Sequence, residues 1–490
     1  MKTPNILIFM TDQQRWDTAP PFSRAKMPRL ETFAQEGLTF SKTYCPSPHC
    51  CPSRATFFTG LYPTEHGVWN NVQVANALSR GLQPGVSLFS DHLQGNGYDL
   101  YYSGKWHVSS VETPRDRGWQ TNAFFEKQLS PDDMSDFRSW PEWQQYRELQ
   151  PGAAGDRGHL ELNRPGYPPF KLAGPHESPF RDRETVEGAV EWIQSRTADD
   201  TPWCQFVGTL GPHDPYIVPQ RFLDLYPELP ELPASFYDTM QDKPGLYRKM
   251  RDVFNPLTPE EHQEAIRHYL AFCSYEDWLF GQVLDALDAS VADNTLVVYL
   301  SDHGDYLGEH GLWAKGLPCF QSCYRVPAIV RWPQGIEEPG RTVDEFVSLA
   351  DFAPTFLEAA GLPPASHCSG RSLVPFFQNE VPPDWRDAIF TQTNGNELYG
   401  IQRSVTTTEW NYVYNGFDYD ELYHLTEDPM ETKNLLADGT GEYDPIVKEL
   451  SRRLWQFAYE HNDACVNPYI TVALARYGPG VAFADETELD

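Results

Sequence analysis

Short runs rich in β-branched and aromatic residues alternate along this chain with segments whose apolar residues recur at helical spacing, and no other feature constrains the fold as much. Strands separated by helices build a parallel sheet covered on both faces, because each parallel connection must cross the sheet and a helix makes that crossing. Residues 6–10 form the first run, ending in Thr11-Asp12. A helix is predicted over 28–36, with Leu30, Phe33 and Ala34 on one face and Gly37 as its stop. Val86, Phe89 and Leu93 mark a short helix, and 100–102 begins a strand. Val186, Ala189, Val190 and Ile193 repeat at i, i+3, i+4 and i+7, which predicts a helix, and 204–210 reads as a strand. Thr258-Pro259-Glu260-Glu261 is a capping box with proline at the first helical position, opening a long helix towards Ala289. The apolar run 295–300 is a buried strand.

Two stretches break the rhythm. Residues 109–180 and 217–257 are dense in proline, tryptophan and charge and read as long excursions from the sheet edge, where loops shape substrate sites. From about Gly370 the alternation weakens, and Tyr412 and Tyr414 suggest antiparallel strands. The expected division is a catalytic domain over 1–369, carrying both insertions, and a smaller α+β subdomain and tail over 370–490.

Charge excludes several partners. With 38 Lys+Arg against 69 Asp+Glu, the formal charge is −31, which repels nucleic acid and anionic membrane surfaces. An anionic substrate therefore needs a local cluster of positive charge, since salt screens the general field beyond roughly 10 Å. No stretch approaches the ~20 apolar residues of a membrane span. The opening MKTPNILIFMTDQQ has one lysine, a short apolar run and no small-residue cleavage site, so it reads as a strand rather than a signal peptide. A cytoplasmic enzyme is expected. The nine cysteines are an odd number in a long chain, which argues against a disulfide framework.

The polar residues that follow the strands carry the chemistry. In doubly wound sheets, ligands bind beyond the carboxyl ends of strands. Asp12-Gln13 follows the first strand and Asp302-His303 follows 295–300. Two acidic residues at two strand ends can converge on one hard cation, with Gln13 and His303 completing the shell. Taken alone, each aspartate reads equally well as the cap of a following helix.

The run Cys50-Cys51-Pro52-Ser53-Arg54-Ala55-Thr56-Phe57-Phe58-Thr59-Gly60 resembles the signature of the type I sulfatases, Cys-x-Pro-Ser-Arg followed by Thr-Gly at the same spacing. The resemblance extends through Gly104-Lys105-Trp106-His107, Pro212-His213-Asp214-Pro215, Ser301-Asp302-His303-Gly304, Gly308-Glu309-His310-Gly311 and Lys315-Gly316. Ala350-Asp351-Phe352-Ala353-Pro354-Thr355, Leu422-Tyr423-His424-Leu425, Asp428-Pro429 and Asn434-Leu435 are similar to the family's C-terminal landmarks. The implied fold is that of the alkaline phosphatase superfamily: a large mixed, mostly parallel sheet between helices, with a smaller C-terminal α+β subdomain.

The resemblance also implies a chemistry. Cys50, the only cysteine with proline two places on and arginine four places on, would be oxidised to formylglycine (3-oxoalanine) by a formylglycine-generating enzyme, leaving Cys51 as filler. Asp12, Gln13, Cys50, Asp302 and His303 would hold one divalent metal; calcium is expected, with manganese and magnesium as alternatives. Hydrated formylglycine attacks the sulfur of a sulfate ester. His213 protonates the leaving alcohol, and His107 takes the proton that lets the intermediate collapse to aldehyde and inorganic sulfate. Lys105 and Lys315 hold the sulfuryl oxygens, and Arg54 supports the metal carboxylates. Asn70, Asn71, His310 and Trp313, with Trp69, are candidates to line the substrate entrance, and His66 and His310 read equally as structural histidines. Gln13 and His303 stand where many members carry Asp and Asn, which resembles the branch with phosphonate monoester hydrolases and promiscuous arylsulfatases. The expected substrate is a small aryl, alkyl or carbohydrate sulfate. The alternatives are a phosphonate monoester or phosphodiester hydrolase with the same machinery, and a non-catalytic metal-binding homologue. The tail over 467–490 is placed to reach a neighbouring copy in a homo-oligomer.

Overall fold

The structure is a computed structural model that describes residues 3–74, 76–121, 140–147, 157–197, 201–396 and 398–484. Among these, nine strands form the main sheet: β1 (Asn5–Thr11), β2 (Leu38–Tyr44), β3 (Asp99–Gly104), β4 (Gln120–Thr121), β5 (Trp203–Gly208), β6 (Thr295–Ser301), β7 (Arg325–Val326), β8 (Ala328–Arg331) and β9 (Arg341–Ser348). Their order is β7-β2-β8-β6-β1-β5-β3-β4, and β9 also pairs with β2. From β6 to β4 every pairing is parallel, whereas β7 and β8 run antiparallel to their neighbours.

The central strands read as unbroken apolar runs because both faces are covered. Ile6, Ile8 and Met10 point to one core with Phe57, Phe58, Phe352 and Phe356. Leu7 and Phe9 point to the other, with Phe33, Val186, Tyr269 and Phe280. The first core packs under α2 (Cys50–Thr59) and α5 (Phe352–Ala359); the second lies under α1 (Pro28–Gln35), α3 (Asp182–Gln194) and α4 (Pro259–Asp285). The Thr258 capping box closes as its sequence requires: Thr258 N–H donates to Glu261 Oε2 at 2.9 Å, and Glu261 N–H to Thr258 Oγ1 at 3.3 Å. The helix stops at Asp285, before Ala289, because Asp288 caps a separate short turn over Ala289–Ala292.

A second, antiparallel sheet of β10 (Ala388–Thr393), β11 (Gln402–Thr407), β12 (Trp410–Asn415) and β13 (Glu421–His424) makes the C-terminal subdomain. Helix α6 (Asp444–Glu460) lays Val447, Leu450, Leu454 and Trp455 on Val405, Tyr412 and Tyr414. The sheet is tied to the main domain by the buried pair Arg386–Asp351 and by Gln392 N–H donating to the Pro46 carbonyl at 2.7 Å. The insertion at 109–180 lies partly outside the described residues; that at 217–257 contains the short helix Gly245–Arg251. Among the described residues no helix is long and apolar enough to cross a membrane. All nine cysteines are unpaired.

Candidate active site

Sheet register brings the two aspartates together. β1 and β6 pair in parallel with Thr11 opposite Ser301, so Asp12 and Asp302 leave the sheet side by side at its carboxyl end. Helix α2, buried along its whole length, points its first turn at the same place, with Cys50 as its first residue. That turn adds the positive end of a helix dipole, which suits an anion. Lys105 arrives from the end of β3, where Gly104 runs against Gly208.

One ligand atom from each of Asp12, Cys50, Asp302 and His303 lies within 4.8 Å of the others, and all four residues are buried. His303 Nδ1 is 2.9 Å from the Gly304 carbonyl, which can only accept, so Nδ1 carries a proton and Nε2 is turned to the cluster. Nε2 is 3.3 Å from Cys50 Sγ and 3.6 Å from Asp12 Oδ1. Gln13 is equally fixed. Its amide Nε2 donates to Asp305 Oδ2 at 2.6 Å and Asp214 Oδ1 at 3.1 Å, while its Oε1 accepts from Lys315 at 3.0 Å. Two carboxylates at one end and an ammonium at the other leave the amide no alternative orientation, so its oxygen is turned to Lys315, which also lies against Cys50. Gln13 and His107 are held at φ +66° and +56°, left-handed conformations that cost a side-chain-bearing residue about 1–3 kcal/mol. Two carboxylates, an amide oxygen and one imidazole make an oxygen-rich set that suits a hard divalent cation.

Positive charge surrounds this cluster inside a strongly acidic protein. Arg54 is wholly buried: Nε donates to Asp302 Oδ2 at 2.7 Å, one terminal nitrogen to Asp12 Oδ2 at 3.4 Å, and the other to the Lys105 carbonyl at 3.0 Å. Lys105 Nζ pairs with Asp12 Oδ2. Lys315 Nζ is 3.2 Å from Cys50 Sγ and 2.8 Å from His213 Nε2. Burial and Cys50 oppose ionisation of Asp12, yet Lys105, His213 and Lys315 prevail and hold its carboxyl below the ordinary range. Burial likewise opposes a charge on Cys50, and Lys105, Lys315 and His303 overcome it, pulling the thiol well below its usual value. The site is built to carry negative charge at position 50.

The histidines that flank Cys50 are tuned in opposite directions. Burial and then Lys105 lower His107. Burial and Lys315 also work against protonating His213, but Asp214, the hydrogen bond to Cys50 and Asp12 outweigh them and raise it. Such a split between two titratable groups is the pattern of a base and an acid in one site.

The residues proposed from sequence for the substrate entrance divide. Asn71 stays at the cleft, accepting Cys51 N–H at 3.2 Å and donating its own N–H to Asn396 Oδ1 of the C-terminal subdomain at 3.0 Å. Asn70 is instead a buried loop staple, bonded to Asn76 O and Leu78 N–H. Trp313 is buried too, its indole donating to His262 Nδ1 at 3.0 Å and stacked on that ring, so it offers no face to a substrate. His310 lies against Phe320 and pairs with Asp238 at 2.8 Å. His66 is satisfied by Thr56 and Val68 N–H. Trp69 sits beside Arg403. For Asn70, Trp313 and His66, local packing, which motif spacing does not encode, consumes the side chain. Conversely, Asp305, Tyr216 and Tyr269 support Gln13 without having stood out in the sequence: Tyr216 donates to Asp305 Oδ2 at 2.6 Å, and Tyr269 to the Gln13 backbone carbonyl at 2.6 Å. Only the proximity of Asp305 to Asp302 hints at it.

This chain has the fold seen in sulfatases, a mostly parallel sheet between helices with an antiparallel C-terminal subdomain, and a cluster of four buried groups at its strand ends that could hold a cation. The Sulfatase family model matches residues 4–362, and a model for the N-sulphoglucosamine sulphohydrolase C-terminal region matches 308–460. The chain belongs to the sulfatase family and is a sulfuric ester hydrolase. It is 28% identical over 464 residues to a choline-sulfatase of Rhizobium meliloti, covering 90% of this chain and 84% of that protein. It is 27% identical over 511 residues to an N-acetylglucosamine-6-O-sulfatase of Bacteroides thetaiotaomicron, covering 94% and 88%. In fold it resembles the phosphonate monoester hydrolase of Agrobacterium radiobacter, with a TM-score of 0.73, 22% identity and coverage of 94% and 96%.

Proposed function

We propose that the protein hydrolyses a sulfate ester of a small aryl, alkyl or carbohydrate alcohol, with Cys50 oxidised to formylglycine and one divalent cation held by Asp12, Gln13, Asp302, His303 and the side chain at position 50. The observation that carries this reading is the convergence of four ligand atoms within 4.8 Å beneath two lysines and two oppositely tuned histidines. Cys50 Sγ stands where an oxygen of the oxidised side chain would sit. The cation, when bound, lowers the pKa of a hydroxyl placed against it. Formylglycine, as its hydrate, offers two hydroxyls on one carbon, one to attack sulfur and one whose proton is later removed to release sulfate.

The chain's own residues do the rest. Lys105 and Lys315 neutralise the sulfuryl oxygens from two sides, as point charges on flexible stems. Arg54 fixes both ligand carboxylates. A proton carried on His213 Nε2, which lies 2.8 Å from Lys315 Nζ, passes to the leaving alkoxide, a step worth typically 10²–10⁴-fold. His107, kept neutral by burial and Lys105, removes the proton from the remaining hydroxyl.

A phosphonate monoester hydrolase activity is the second reading, favoured by the Gln13 and His303 pair and by the fold likeness to such an enzyme. The test compares kcat/KM for 4-nitrophenyl sulfate and for a 4-nitrophenyl phosphonate. Higher turnover of the sulfate is expected, and a preference for the phosphonate reverses the assignment. Asp302→Ala should abolish cation binding in calorimetry; retained stoichiometric binding would remove Asp302 from the ligand set.

A further inference from the structure

Behind the His213 loop lies a carboxylate to which no part of the chemistry above assigns a role. Asp182 is the first residue of α3, fully buried, and follows two left-handed residues, Phe180 at φ +50° and Arg181 at φ +62°. Its two oxygens take two consecutive backbone N–H groups at the end of β5: Oδ1 accepts from Leu210 and Oδ2 from Gly211, each at 2.8 Å. The loop passes this hold on in both directions. The Gly211 carbonyl accepts the Asp12 N–H at 3.0 Å, and the Leu210 carbonyl accepts the His213 N–H at 3.0 Å. One carboxylate thus clamps the short segment from which a cation ligand and the proton donor both take their backbone position.

The clamp is closed from beneath. A Cβ on Gly211 would stand 2.1 Å from Glu276 Oε1 and 2.4 Å from the Phe272 ring of α4, so the loop rests directly on that helix. Burial, with Asp182 nearby, pushes Glu276 well above the ordinary carboxyl range, so it packs there as a neutral acid. One turn along α3, Thr185 Cγ2 would lie 2.8 Å from a Cβ on Gly104, the residue that precedes Lys105. The same helix end therefore abuts the loops that carry His213 and Lys105, and reaches Asp12 through the Gly211 carbonyl.

We propose that Asp182 is the positioning residue of the proton donor, setting the place of His213 relative to Asp12 by holding Leu210 and Gly211, without touching substrate or cation. The inference rests on the reading of His213 as the group that protonates the leaving oxygen. Asp182→Asn keeps the side chain's size but turns an amide N–H₂ toward one of the two backbone donors, breaking half the clamp.

The test uses the full-length matured enzyme and two substrates of nearly the same shape. The 4-nitrophenolate of 4-nitrophenyl sulfate leaves without a proton, whereas the phenolate of phenyl sulfate, with a parent pKa of about 10, needs one. A displaced donor should lower kcat for phenyl sulfate by about 10–100-fold, lower it for 4-nitrophenyl sulfate by no more than about 3-fold, and leave KM for both nearly unchanged. His213→Ala is the reference and should show the same selectivity more strongly. If His213→Ala is selective and Asp182→Asn is not, either through equal losses or no loss, the positioning role is overturned and the role of His213 stands. If His213→Ala itself shows no selectivity, the reading of His213 fails first. Should Asp182→Asn not fold, as judged by thermal melting, Asp182→Ser retains one acceptor at the helix start and is read in the same way.

Discussion

At the scale of single residues, the site works by opposing charge held at short range. Gln13 shows how this is done: its side-chain oxygen is turned to Lys315 because Asp305 and Asp214 occupy the amide nitrogen. Partners that orient a ligand typically change cation affinity 10–100-fold when removed. Asp305→Asn is therefore expected to weaken divalent-cation binding by about that factor in calorimetry; unchanged affinity would mean that Gln13 needs no such support. The two histidines predict the pH profile. His107 is lowered, so it becomes active as a base only as pH rises through a value below the ordinary histidine range. His213 is raised, so its proton is lost, and the rate falls, only as pH rises through a value above that range. A bell with limbs on either side of the usual histidine value follows for phenyl sulfate, and His213→Ala should remove the alkaline limb. A profile whose alkaline limb survives that substitution contradicts the assignment.

At the scale of elements, strand ends position the site, and two kinds of contact hold them. Arg54 joins α2 to β1, β3 and β6 through Asp12, the Lys105 carbonyl and Asp302. Replacing it by methionine takes the guanidinium from buried Asp302 and leaves Asp12 paired with Lys105 alone, which costs about 3–5 kcal/mol. Cation-free Arg54→Met should show that loss in denaturant unfolding, and added cation should recover part of it. Gly104 holds the other junction: at φ +91°, with a would-be Cβ 1.9 Å from the Gly208 carbonyl, it admits no side chain. Gly104→Ala is expected to lose about 2 kcal/mol or more and to displace Lys105, whose N–H bonds that same carbonyl at 2.9 Å.

The elements that sequence revealed were those with a local signature of their own, an apolar run, an amphipathic repeat or a cap. β1 and β6 are apolar runs because both faces are buried, and α4 announces itself through its capping box. Helix α2 did not read as a helix, since all ten of its residues are buried and no polar face alternates with an apolar one. The catalytic candidates were legible through motif spacing, whereas Asp182 and Asp305 were not. Each is an aspartate whose partners in other elements lie 28 or more residues away and are chosen only by the fold.

At the scale of the whole molecule, the two sheets act as one unit. The C-terminal loop bearing Asn396 braces Asn71 at the cleft, Arg386 pairs with Asp351, and β10 bonds Pro46 just ahead of Cys50. Contacts of this kind predict a single thermal transition in calorimetry for the intact chain, and two well-separated transitions would show that the subdomain is independent. They also explain why an acidic protein with a formal charge of −31 can take an anionic ester. Surface repulsion is screened over roughly 10 Å, while Lys105, Lys315 and the start of α2 act at contact distance in a buried cleft.

All of this turns on the chemical state of one side chain. After co-expression with a formylglycine-generating enzyme, peptide mass spectrometry across position 50, with an aldehyde-reactive probe, measures the oxidised fraction in each preparation. Sulfate-ester turnover should rise in proportion to that fraction and vanish in Cys50→Ala. Full turnover from protein that carries only a free thiol at Cys50 would contradict the account.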